Sequence, residues 1–138
     1  MFPPELERDA FRAENGEFGW TEAQIQLVVD VLRSHEMAIL GGELWWVQEG
    51  STRWDLIPQR QGQRAVYTWA TDRLATESWS DFVERGASEA LAHARRWPTA
   101  LDLPSGLRGR ILCNLSWVSS LEYDQLTRKG KKKPDLSC

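Results

Sequence analysis

Apolar positions recur at helical spacing first at Ile25, Val28, Val29 and Leu32, with Leu27 and Val31 widening the stripe. Thr21 and Gln24 stand where a capping box would close the first turn. Trp20 and Ile25 flank that box as a hydrophobic staple, so a largely buried helix is expected over residues 22–35. The period then changes. Glu43-Leu44-Trp45-Trp46-Val47 reads as a strand over 43–48, and Gly41-Gly42 before it reads as a two-residue turn or a bulge. Trp54 and Leu56 alternate with Arg53 and Asp55, giving a strand over 53–57. Tyr67 and Trp69 share one side of a strand over 64–70. Tight polar turns join the three into an antiparallel meander.

A second helix is expected over 80–96, entered through Ser78-Trp79-Ser80-Asp81, weakened by Gly86 and stopped by Pro98. Its inner stripe is Phe82, Val83, Ala87, Ala90, Leu91 and Ala94. Ile111, Cys113, Leu115 and Trp117 alternate against Arg110, Asn114 and Ser116, the clearest half-buried strand in the chain. Ser119 to Glu122 then caps a short last helix ending near Arg128. The fold expected is α+β, one domain over 1–128. Its antiparallel sheet has about four strands, the meander plus the later strand, packed with two main helices and the short C-terminal one. Residues 1–19 are expected to be loosely structured, with a short helix through Glu5–Glu14, and 129–138 to be a basic, disordered tail.

Composition changes this picture little. The 138 residues are 41% hydrophobic and 27% charged, within the range of ordinary globular domains. No run approaches the ~18–20 apolar residues of a membrane span. The opening MFPPELERDAF lacks the basic and apolar regions of a secretory signal. Cys113 reads as a small buried thiol and Cys138 as a terminal one, so no disulfide framework is expected, a usage that fits a reducing, cytoplasmic setting. Charge is unevenly placed: residues 1–50 carry ten acids against three arginines, and every lysine lies in 129–133. An acidic front repels nucleic acid and attracts basic proteins.

Candidate chemistry is sparse. His35 and His93 are the two histidines, and neither joins Cys113 in a pattern that activates a nucleophile. No Cys or His pair has ligand spacing, no glycine run is a phosphate loop, and no cofactor is expected. Glu43, Asp55, Asp72, Glu77, Asp81 and Glu84 cluster in sequence, and two of them at suitable separation would serve a hydrolase as acid and base. The eight tryptophans are the stronger signal. Trp45 and Trp46, adjacent on a strand, point to opposite faces. Trp46, Trp54 and Trp117 are expected in the core. An exposed Trp among acids would be a protein-binding hot spot.

The segments GGELWWV (41–47), ESWSDFVERG (77–86) and RILCNLSWVS (110–119) together resemble small bacterial immunity-type proteins of polymorphic toxin systems. That resemblance implies a non-enzymatic inhibitor whose partner is a cognate toxin domain. Alternation and the acid–aromatic clustering place the partner surface at Trp45, Asp55, Tyr67, Trp69, Asp72 and Trp79. Two other readings stand beside it: a small-ligand or carbohydrate-binding module with a Trp-lined cleft, and the carboxylate-dependent hydrolase.

Overall fold

The computed structural model describes residues 3–100 and 103–136, with side chains placed over 3–96 and 103–128. Phe2, Cys138 and the side chains of Trp97 and of the expected tail lie outside the described residues. The fold is α+β: among the described residues it has three α-helices, and every strand pairing is antiparallel. The core of the sheet is one long hairpin-like pair. Strand β3 (Ala38–Gln48) runs antiparallel to β7 (Gly109–Val118), and the short β6 (Thr68–Ala70) flanks β3 on its other side, giving the order β6-β3-β7.

The expected meander is therefore only partly formed. Of 53–57, Asp55 makes one bridge to Trp46, and β4 (Ile57–Pro58) pairs instead with β5 (Arg64–Ala65) in a separate ribbon. Proline at 58 lacks the N–H that a longer strand would use, so the chain turns away from β3 early. The central sheet has three strands, where four were expected. Gly41-Gly42 is not a turn: β3 runs straight through both, with a bulge between Ile39 and Gly41. The glycines serve close approach. A Cβ on Gly42 would lie 2.5 Å from Trp69 Cη2 and 2.7 Å from the Asn114 carbonyl oxygen.

Helix α1 (Glu22–Ser34) begins where the pattern placed it. The Thr21 N–H donates to Gln24 Oε1 at 2.8 Å, closing the capping box, and Ile25, Val28, Val29 and Leu32 are buried. Helix α2 (Trp79–Ala100) is capped by Ser78, whose hydroxyl oxygen accepts the Asp81 N–H. It runs past Pro98 to Ala100, because a proline's fixed φ is itself helical even though one hydrogen bond is lost. Gly86, read as a weak point, is where α2 crosses the bulge: its Cβ would stand 2.8 Å from the Ile39 carbonyl oxygen. Helix α3 (Ser120–Leu136) starts at a second box, with the Ser119 hydroxyl accepting the Glu122 N–H and Glu122 Oε1 accepting the Ser119 N–H.

Both main helices pack on one face of the sheet. Ile25, Val28, Val29, Leu32, Leu44, Trp46, Ala87, Ala90, Cys113 and Leu115 form the principal core there. The second face is covered over half its length by the N-terminal segment. The helix expected through Glu5–Glu14 is absent; a 3-10 turn (Pro4–Leu6) leads into a hairpin of β1 (Phe11–Arg12) and β2 (Phe18–Gly19). Asn15-Gly16 supplies its turn, with Gly16 at φ 86°, a conformation glycine adopts without steric cost. The hairpin lays Phe11 and Ala13 over Trp45, Val47 and Leu112. Trp20 then fastens the hairpin's exit to the outer edge of β7 by two backbone hydrogen bonds with Cys113.

Candidate functional site

The six residues expected to form one partner surface are placed on five different parts of the fold. Trp45 is fully buried, at 0% exposure, because the hairpin covers the face to which it points. Its ring stacks on Trp54 at 4.9 Å between centroids and 7° between planes. Its Nε1 donates to Glu43 Oε1 at 2.6 Å. A side chain so enclosed cannot touch a partner; it holds Glu43 instead. Asp55 is exposed beside Trp46, and its carboxylate receives Arg64 at 3.7 Å.

Tyr67 and Trp69 do come together, on the helix side of β6, as their alternation required. Both meet His93 of α2: the indole of Trp69 stacks on the imidazole at 4.4 Å and 16°, and the Tyr67 hydroxyl lies 3.3 Å from Nδ1. Burial lowers the His93 pKa, with the Arg96 charge adding to the effect and Glu89 opposing it. Trp69 Nε1 is buried without a hydrogen-bond partner, so its place rests on ring stacking and on the space Gly42 leaves. Asp72 stands exposed on the loop after β6, and its backbone carbonyl accepts a hydrogen bond from Arg85. Trp79 is half-buried at the start of α2. It packs on Phe82 and Tyr123, lies under the guanidinium of Arg73, and donates Nε1–H to the Glu36 carbonyl at 2.8 Å.

The loop between β6 and α2 is pinned by charge. Arg85 makes two 2.8 Å hydrogen bonds to the Glu77 carboxylate and a 3.3 Å one to Glu89, which also accepts the hydroxyl of Thr71. The Arg85 guanidinium holds the Glu77 carboxyl at about 2, well below its ordinary 4.5. Two of the clustered carboxylates weighed above as an acid and base thus differ in use: Glu77 is tied down in this network, and Glu84 reaches Arg33 at 3.5 Å. Among the described residues no group of three or more His, Cys, Asp or Glu side chains is placed to hold a metal ion. The Cys113 thiol is enclosed, and burial pushes its pKa far up.

What the sequence pattern missed is the uncovered half of the second sheet face. Beyond the hairpin's reach lie Glu43, Thr68, Asn114 and Ser116, with Gly41 and Gly42 as floor and Glu17 at the rim. They line an open cleft of about 470 Å³. Asn114 Nδ2 donates to the Phe18 carbonyl at 2.8 Å, fixing the hairpin's position at the cleft edge. The signal available in the sequence was the polar alternation of Asn114 and Ser116, which fall opposite Glu43 and Gly41. Of the other clefts, one between Val47–Ser51 and Gly109–Arg110 meets no tryptophan, three meet a single one each, at Trp54, Trp117 or Trp46, and none presents a stacked pair of open indole faces.

A family model described as immunity protein 40 matches residues 10–102, from just before β1 to just beyond α2, well over half of the chain. The chain belongs to the immunity protein 40 family. No curated protein and no solved structure matches it. Among the described residues no helix is long and apolar enough to cross a membrane.

Proposed function

We propose that this immunity protein neutralises a cognate toxin in the bacterial cytoplasm by binding it, with no chemistry of its own. The contact surface in this reading is the open half of the sheet and the adjoining β6 strand. The family supplies the kind of partner. The observation that carries the surface is the contrast between the two halves of one sheet face: Trp45, Val47 and Leu112 are sealed under the hairpin, while Glu43, Thr68, Asn114 and Ser116 are left open. One Glu43 oxygen is held by the buried Trp45 indole, so the carboxylate is presented in a fixed position with little rotamer entropy left to lose on binding. Asp72, with Tyr67 and Trp69 behind it, extends the surface along β6. Trp45 acts as its support.

Acids placed this way speed encounter with a basic partner and make it salt-dependent. Glu43→Gln keeps the oxygen that Trp45 needs and removes the charge, and Asp72→Lys reverses an unpaired charge. Together they are expected to slow association with the toxin domain at low salt, with a smaller effect at high salt. An association rate that is unchanged at both salt concentrations would take this surface out of the account.

A further inference from the structure

The outer edge of β6 is an unpaired strand edge. In the β3–β6 ladder, Gly42 is opposite Trp69, the Leu44 N–H donates to the Tyr67 carbonyl, and the Thr71 N–H donates to the Leu40 carbonyl. Residues 67, 69 and 71 therefore turn their backbone groups toward β3. Backbone groups alternate along a strand, so those of Val66, Thr68 and Ala70 point the other way. None of these three makes a hydrogen bond on that side among the described residues. The opposite edge of the sheet differs, because Trp20 is paired to Cys113 of β7.

Soluble proteins protect such edges with lysine, proline, a bulge or a covering loop. Residues 66–70 read Val-Tyr-Thr-Trp-Ala, and Thr68–Ala70 pairs with β3 in regular register; the bulge at Ile39–Gly41 belongs to the β3–β7 ladder. Val66 is 65% exposed, and Thr68 and Ala70 are exposed as well. The strand behind this edge is rigidly backed. Tyr67 and Trp69 are set against His93, Thr71 is buried and bonded to Glu89, and Arg85 grips the Asp72 carbonyl. An edge held flat and open in this way is preorganised for strand addition.

We propose that a strand of the toxin pairs with the outer edge of Val66–Ala70, extending the sheet to four strands. This rests on the toxin-binding reading above and specifies how it is achieved. About five residues of pairing span roughly 17 Å. Every second side chain of the added strand would emerge on the open face, beside Thr68 and Ala70 and toward Glu43. With Asp72 at the end of the edge, the partner strand is one carrying Lys or Arg at alternate positions. A second copy of this chain fits less well, since the strand it would offer, Val66–Ala70, carries no Lys or Arg and would bring a second acidic open face alongside the first.

Proline at position 68 or 70 deletes an outward N–H and spares the ladder to β3, since those groups do not bond to β3. Thr68→Pro and Ala70→Pro are each expected to weaken binding of the toxin domain by about tenfold or more, with the thermal midpoint little changed. Thr68→Val, which keeps the outward N–H, is expected to retain more affinity than Thr68→Pro. If a proline variant does not fold, hydrogen exchange on the wild-type complex decides instead: the amides of Thr68 and Ala70 are expected to become protected when toxin is added. Wild-type affinity in the folded proline variants, or unprotected amides at 68 and 70 in the complex, overturns strand addition while leaving toxin binding intact. Failure of the wild type to bind the toxin domain at all overturns both readings. Self-association that Ala70→Pro abolishes, with toxin affinity retained, assigns the edge to a second copy and overturns the proposal.

Discussion

Replacing Gly86 by alanine sets two well-characterised effects against each other. In a helix interior, Gly→Ala on its own gains about 1 kcal/mol, because glycine loses more backbone entropy on folding. Gly86 lies inside α2, is buried, and its new Cβ would stand 2.8 Å from the carbonyl oxygen of Ile39. Neither neighbour is a flexible side-chain tip; the obstacle is strand backbone at the β3 bulge. Relief requires α2 and β3 to part by about half an ångström, which forfeits roughly a quarter of the dispersion energy of each contact across that seam. Phe82, Val83, Ala87 and Ala90, all buried, sit on this seam. Overpacking of this kind costs about 1–3 kcal/mol, so the net expectation is a loss of about 1 kcal/mol. For a chain of this length that lowers the melting temperature by roughly 3–5 °C. Urea titration of Gly86→Ala beside Ser88→Ala, an exposed position on the same helix where propensity alone acts, separates the two effects. The serine variant should match or slightly exceed the wild type. A Gly86→Ala variant as stable as the wild type, or more so, would refute the close crossing of α2 over β3.

Three further outcomes follow from the same geometry. In a Cys138→Ser background, Cys113 should resist a thiol reagent at pH 8 in the native state and react fully in urea; rapid native labelling would mean the β7 core is open. Because Arg85 holds Glu77 at about 2 against an ordinary 4.5, the pair's contribution is fully present above pH 4.5 and fades as pH falls toward 2. Glu77→Gln should therefore flatten the acid limb of the stability profile, and an unaltered limb would contradict the pairing. Glu36, just past the end of α1, has φ 57°, where a side chain is strained; Glu36→Gly should stabilise by about 0.5–1 kcal/mol in urea titration.

The parts of this fold that the sequence made legible are those fixed by local pattern. Thr21 and Gln24, Ser78, and Ser119 with Glu122 set the helix starts, and Ile111 to Trp117 set the strand that pairs with β3. What stayed hidden depends on distant partners. Gly41-Gly42 carries turn chemistry, yet it lies mid-strand because Trp69 and the Asn114 carbonyl need the space. The opposed faces of Trp45 and Trp46 were readable, but the exposure of Trp45 was not. Its cover comes from residues 11–19, whose weak pattern gave no sign that Phe11 and Ala13 would close over the sheet. The candidate site suffered in the same way. Acid–aromatic proximity along the chain grouped six residues, and of these the fold brings only Tyr67 and Trp69 together, on His93. The open half-face and the bare edge of β6 come from what the hairpin and α2 leave uncovered, a property of the assembled fold.

The most direct test is to mix the purified chain with its cognate toxin domain, measure complex formation by titration calorimetry, and assay the toxin's activity in the same samples. A stoichiometric, tight complex in which activity is lost is the predicted result. A folded chain that leaves the toxin unbound and fully active would contradict the account.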